Sequence, residues 1–113
     1  MNLSYRIEDN ICIISIAGDC IYKRTFELVV YASKLLDDFS PRALILNLSD
    51  TESMDSTGLG SISSAFKTAQ KKQMGFAICH MNSLVLEMFE AISLDKIIPN
   101  YATEAEAIAS LES

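Results

Sequence analysis

Three apolar runs of the kind that form buried strands, 11–17, 43–48 and 75–79, alternate with stretches of helical period. This alternation constrains the fold more than anything else in the chain. The first run, Ile11-Cys12-Ile13-Ile14-Ser15-Ile16-Ala17, is β-branched and almost wholly apolar, which fits a strand covered on both faces. Before it, Leu3, Tyr5 and Ile7 alternate with Ser4, Arg6 and Glu8, the pattern of a half-buried strand. The turn signal Asp9-Asn10 joins the two runs as an antiparallel hairpin. Residues 23–39 have helical spacing, with Phe26, Val29, Val30, Ser33 and Leu36 on one stripe and Leu28, Ala32, Leu35 and Phe39 widening it. Ser40-Pro41 ends that helix. A second helix follows 43–48, with Leu59, Ile62, Phe66 and Ala69 facing inward and Ser61, Ser64, Lys67, Gln70 and Lys71 outward. It runs to about Lys72, and Met74-Gly75 breaks it. After 75–79, Asn82-Ser83 offers caps for a helix over 84–92, with Leu84, Val85, Met88, Phe89 and Ile92 on one side. Residues 97–98 suit a brief strand, and 103–111 a last helix with Ala105, Ile108 and Leu111 inward. The order predicts an α/β fold. It has a mixed, mainly parallel sheet of four or five strands, an N-terminal antiparallel hairpin and about four helices, within a single domain over 1–113. Periodicity alone leaves open whether the helices cover one face of the sheet or both.

The polar stretch between 43–48 and the second helix is Met54-Asp55-Ser56-Thr57-Gly58-Leu59-Gly60. A strand-to-helix turn gathers free backbone N–H groups and the positive end of the helix dipole. One polar side chain suffices to cap a helix, yet Asp55, Ser56 and Thr57 stand in a row. Gly58 and Gly60 each weaken the first turn by roughly 1 kcal/mol relative to alanine. Close packing against the sheet is the plain structural reading of both glycines.

The totals exclude several classes. With 113 residues and half of them hydrophobic, the chain can build a core without staples. No apolar run approaches the roughly 18–20 residues of a membrane span, and the start lacks the basic-then-apolar order of a secretory signal. A cytoplasmic location is the expectation. A net charge of −6 disfavours nucleic acid and anionic lipid as partners and favours a basic protein surface. The three cysteines, Cys12, Cys20 and Cys79, form no C-x-x-C pair. Cys12 and Cys79 fall in strand-like runs, and Cys20 in a polar loop where a reactive thiol is conceivable.

Catalytic constellations are equally poor. His80 is the one histidine, expected as a solvated strand-end residue with no acid placed to orient it. Gly-x-Ser-x-Gly is absent. Cys79-His80 has no further ligands to complete a metal site. Gly58-Leu59-Gly60 lacks the lysine of a P-loop, and Ser63 stands where a dinucleotide fingerprint needs its third glycine. No cofactor is indicated.

Leu46-Asn47-Leu48-Ser49 followed by Met54-Asp55-Ser56-Thr57-Gly58-Leu59-Gly60 resembles the signature of bacterial anti-sigma factor antagonists, which are stand-alone STAS domains. The likeness spans nearly the whole chain, including the opening hairpin, Gly18-Asp19, and Leu94-Asp95-Lys96-Ile97-Ile98. It implies a STAS fold without enzymatic activity of its own, acting as a partner switch. By that likeness Ser56, or less readily Thr57, accepts phosphate from an anti-sigma factor that is a serine kinase. The unphosphorylated form binds the kinase and frees a sigma factor, and a metal-dependent serine phosphatase resets the switch. The docking surface it implies is the turn at 54–58, the outer face of the next helix and the loop at 18–24. The expected contact residues are Asp19, Met54, Asp55, Ser56, Thr57, Gly58 and Ser61. A rival reading is a STAS adaptor subunit of a transport or other regulatory complex, acting without a sigma factor. Two departures stand out: Cys20-Ile21 replaces the Leu-Asp common after Gly-Glu/Asp, and Ser93 precedes Leu94 where glycine is frequent.

Phosphate on Ser56 adds about −1.5 to −2 charge at a helix start that tolerates it, so the expected effect falls on docking rather than on folding. One lost close contact and one new repulsion amount to roughly 10²-fold or more in affinity.

Overall fold

A computed structural model describes residues 2–20 and 25–112. The expected helix start at Lys23 and the loop portion 21–24 lie outside these residues. Strand β1 (Asn2–Glu8) and strand β2 (Ile11–Cys20) pair antiparallel, with Glu8 opposite Ile11. Asp9 and Asn10 both take positive φ, 54° and 61°, the two-residue turn whose twist matches a hairpin. Strand β3 (Ala43–Asn47) lies parallel to β2, and strand β5 (Gly75–Cys79) parallel to β3. Strand β6 (Asn100–Tyr101) adds to β5, giving the order β1-β2-β3-β5-β6. A short strand β4 (Thr51–Met54) pairs parallel with the far end of β2. Among the described residues the sheet therefore has six strands, one more than expected at most.

The helices are α1 (Thr25–Phe39), α2 (Ser56–Lys71), α3 (Ser83–Ala91) and α4 (Glu104–Ser110). The pleat of the sheet distributes them unequally. Cys12, Ile14 and Ile16 of β2 share one face with Leu44 and Leu46 of β3 and Phe76 and Ile78 of β5. Against that face pack Leu28, Ala32 and Leu36 of α1, Ile62, Ala65 and Ala69 of α2, and Val85 and Phe89 of α3. The opposite face carries Ile11, Ile13, Ala43, Ile45, Ala77 and Cys79, and α4 covers it with Ala107, supported by Ile108 and Leu111. Both faces are covered, which explains why 11–17 and 43–48 read as unbroken apolar runs.

Several expected details differ. Phe26 and Val30 are 74% and 52% exposed, so the buried stripe of α1 is Leu28, Ala32, Leu35 and Leu36. Two apolar stripes exist on this helix, and only its seat on the sheet selects between them. Leu84 and Ile92 likewise face outward while Val85 and Phe89 are buried. In α4, Ala105 is exposed and Ala107 is inward. Residues 97–98 are not a strand. They follow a 3-10 turn at Leu94–Lys96, and Ile98 drops into the helix-covered core. Cys20 is the last residue of β2 and fully buried rather than in a polar loop. Burial pushes its thiol up, more than its hydrogen bond with Ser61 draws it down. Burial also pushes Cys12 to about 11 and Cys79 to about 12, so all three thiols are inert.

Ser93 follows α3 at φ 60°, ψ 22°, the left-handed geometry that glycine takes without penalty. A serine held in that geometry costs about 1 kcal/mol relative to glycine. Ser93→Gly is expected to raise the unfolding free energy by about 0.5–1 kcal/mol in urea titration, with an unchanged slope.

Candidate functional site

The turn before α2 is held from below and from behind. Beyond a register shift between Gly18 and Cys20, β2 pairs with β4, Cys20 opposite Met54. Thr51, buried, donates its hydroxyl to the Ile16 carbonyl at 2.6 Å. Asn82 does double duty. Its Nδ2 donates to the carbonyls of Thr51 and Glu52 at 3.1 and 3.0 Å, while its Oδ1 accepts from Val85 N–H and caps α3. Sequence reading found only the cap, because β4 has four residues and no alternation strong enough to announce it.

Asp55 is the N-cap of α2, in extended geometry at φ −111°, ψ −175°. Its Oδ1 accepts from the Gly58 N–H at 3.0 Å and from the Thr57 hydroxyl at 2.6 Å. The three adjacent polar side chains thus divide. Asp55 caps the helix and Thr57 is engaged by Asp55. Ser56, exposed at the first helical position, has no hydrogen-bond partner for its hydroxyl among the described residues.

The floor of the turn is dense. A Cβ on Gly58 would stand 2.2 Å from the Cys20 carbonyl oxygen and 2.6 Å from Met54 Cγ. Ser61 is buried and donates to the Gly58 carbonyl at 2.8 Å. Met54, Gly58 and Ser61, expected as contact residues, are therefore buried beneath the surface they support. Ser61 also leaves the outward face assigned to it. The small residues Gly58, Ser61 and Ala65 let the start of α2 sit close to the end of β2, which turns that side of the helix inward. Gly60 differs: a Cβ there meets nothing within 4 Å, so packing does not account for it. Asp19, exposed, accepts from the Ser53 hydroxyl at 2.6 Å, and Ser56 and Thr57 are also exposed while Asp55 is half-buried.

His80 is not a solvated strand end. It is half-buried, and its Nε2 accepts from the Glu104 backbone N–H at 3.1 Å, which joins it to α4 on the sheet face opposite α1, α2 and α3. The Glu104 carboxylate accepts from Arg6 of β1 and from Asn47 of β3 at 2.7 Å. Burial pushes the Glu104 carboxyl up, but these hydrogen bonds and the nearby Arg6 charge bring it below the ordinary carboxylate range. A lowered carboxyl stabilises the fold above its unfolded value, and that contribution is lost as pH falls through the folded value. Glu104→Ala is expected to cost about 1.5–2 kcal/mol in urea titration at neutral pH. The difference from the parent chain should narrow as pH falls through the lowered folded value of Glu104, where the parent loses the charge that holds Arg6. Among the described residues no group of three His, Cys, Asp or Glu side chains is placed to hold a metal ion, and no helix is long and apolar enough to cross a membrane.

Fold and turn together define a class: a small α/β domain that presents the start of one helix, with a spare hydroxyl, at the end of a mixed sheet. The chain belongs to the STAS domain family, which it matches over residues 2–107. It is 26% identical over 114 residues to the anti-sigma F factor antagonist of Paenibacillus polymyxa, across 99% of this chain and 97% of that relative. Its fold matches that of an anti-sigma factor antagonist from Mycobacterium paratuberculosis with a TM-score of 0.89 at 22% identity, covering 99% and 94% of the two chains. It also matches the Bacillus cell fate determinant SpoIIAA in its phosphorylated form, with a TM-score of 0.74 at 16% identity and coverage of 98% and 100%.

Proposed function

We propose that this chain is an anti-sigma factor antagonist and that Ser56 is its switch. One observation carries the assignment within the turn: of three adjacent polar side chains, Asp55 and Thr57 are engaged with the helix start and with each other, while the Ser56 hydroxyl is exposed and spare. Unphosphorylated, the surface around Asp19, Asp55, Ser56 and Thr57 binds an anti-sigma factor that is a serine kinase, and a sigma factor is released. The Ser56 oxygen then attacks the terminal phosphorus of the kinase's ATP, ADP leaves, and the hydroxyl proton passes to a base of the kinase. A metal-dependent serine phosphatase hydrolyses the ester and restores binding. The domain itself supplies no catalytic group in this cycle.

The first turn of α2 suits this role because its unsatisfied N–H groups and dipole accommodate the added charge. Met54, Gly58 and Ser61 hold that turn from beneath. The direct experiment is phosphate mapping by mass on the chain recovered from its own cells, with Ser56→Ala and Thr57→Val beside the parent. Phosphate should disappear in Ser56→Ala and persist in Thr57→Val. Undiminished phosphate on Ser56→Ala would sink the assignment.

A further inference from the structure

We propose that the outer face of α1 is the interface of a symmetric dimer, its occupant being a second copy of this chain. Eight large hydrophobic side chains are exposed among the described residues, and five of them lie on α1 and the neighbouring edge strand: Phe26, Val30 and Phe39 with Tyr5 and Ile7. The inner face of α1 is spent on the sheet and α2, so this apolar stripe is a surplus beyond what the core uses. Within it an open apolar groove is lined by Phe26, Glu27, Val30, Tyr31 and Lys34.

The charges of that groove select the occupant. Glu27 and Lys34 stand seven residues apart, roughly 10 Å along the helix axis, with Val30 and Tyr31 midway between them. Two α1 helices packed antiparallel about that midpoint bring each Glu27 opposite the other copy's Lys34, twice by symmetry. The ammonium group also comes within reach of the other copy's exposed Phe26 ring. Val30 and Tyr31 fill the centre. Lys34 is available for this: its own pairing with Asp38 is 3.7 Å long and largely solvent-exposed. Among the described residues the groove carries one anion, Glu27, and one cation, Lys34, although the whole chain carries −6. A groove with balanced charges offers a basic partner no net attraction, whereas a second copy presents its charge complement here. One helix face is at the small end of specific interfaces, and two chains of like net charge repel, so the dimer is weak and concentration-dependent.

Sedimentation equilibrium over roughly 10 µM to 1 mM protein tests this, a range matched to weak association. The parent chain should pass from protomer to dimer mass across the series. Val30→Asp should remain a protomer throughout, and Glu27→Lys or Lys34→Glu alone should weaken association at least tenfold. The double variant Glu27→Lys/Lys34→Glu should restore it, because the symmetric pairing is then re-formed with signs exchanged. The three positions changed here, Glu27, Val30 and Lys34, are on the exposed side of α1, and unchanged circular dichroism and melting identify a folded variant. A protomer mass for the parent at every concentration, or a dimer indifferent to Val30→Asp and to both single charge changes, overturns the proposal. Neither result depends on the Ser56 reading, which is tested by phosphate mapping.

Discussion

Gly58→Ala is expected to lower the melting temperature by roughly 10–15 °C, while Gly60→Ala, two residues further on, raises it by a few degrees. Intrinsic helix propensity favours alanine at both sites by roughly 1 kcal/mol. Space then decides. At Gly58 the new methyl group meets the backbone oxygen of Cys20 at 2.2 Å and Met54 at 2.6 Å. The Met54 side chain can move, but the Cys20 carbonyl is the end of a β2 strand paired to β4. The start of α2 must be displaced instead, at a net cost of about 3 kcal/mol, the upper end of what overpacking usually costs. At Gly60 the methyl group enters open space, and the propensity gain is retained. Calorimetry on both variants checks the pair. Equal shifts of the same sign would show that helix propensity, not the approach of α2 to β2, governs this turn. The displacement also moves Asp55 and Ser56, so Gly58→Ala should reduce phosphate uptake by the folded fraction.

Ser56→Asp is expected to bind the proposed kinase roughly 10²-fold more weakly than the parent, with the fold unharmed. Ser56→Ala should bind close to the parent level. The two halves of this expectation have one cause. A negative group at the first position of α2 is favoured by the helix dipole by about 0.3–1 kcal/mol, so melting should be unchanged or slightly raised. The same group beside Asp55, on a chain carrying −6, replaces a close contact of the docking surface with a larger, solvated charge and adds repulsion against Asp55 and any acidic group that faces the turn. Titration of the kinase with each variant, alongside a melting curve, separates loss of docking from loss of fold. Parent-like affinity for Ser56→Asp would remove the electrostatic basis of the switch.

The limits of sequence reading are visible in particular residues. In α1, Phe26 and Val30 are as apolar as Leu28 and Leu36, and helical period accommodates either stripe. The sheet takes the second, and the first is left on the surface. His80 was legible as a strand-end residue, but its acceptor role depends on Glu104, 24 positions later, arriving over the other face of the sheet. Ser61 looked outward because hydroxyls usually do. Its burial follows from how closely the first turn of α2 approaches β2, a distance set by Gly58.

From its sequence alone, the chain determined the hairpin, the parallel core strands, the helices between them and the polar excess at Asp55-Ser56-Thr57. These are properties of neighbouring residues: turn chemistry, alternation and helical period act within a few positions. The tertiary structure decided which helix faces are buried, the existence of β4, the unequal covering of the two sheet faces, and which hydroxyl in the turn is spare. Each of these depends on residues far apart in the chain meeting at one place. Asp55 capping α2 and holding Thr57, with Gly58 tight against Cys20, is what leaves Ser56 outward.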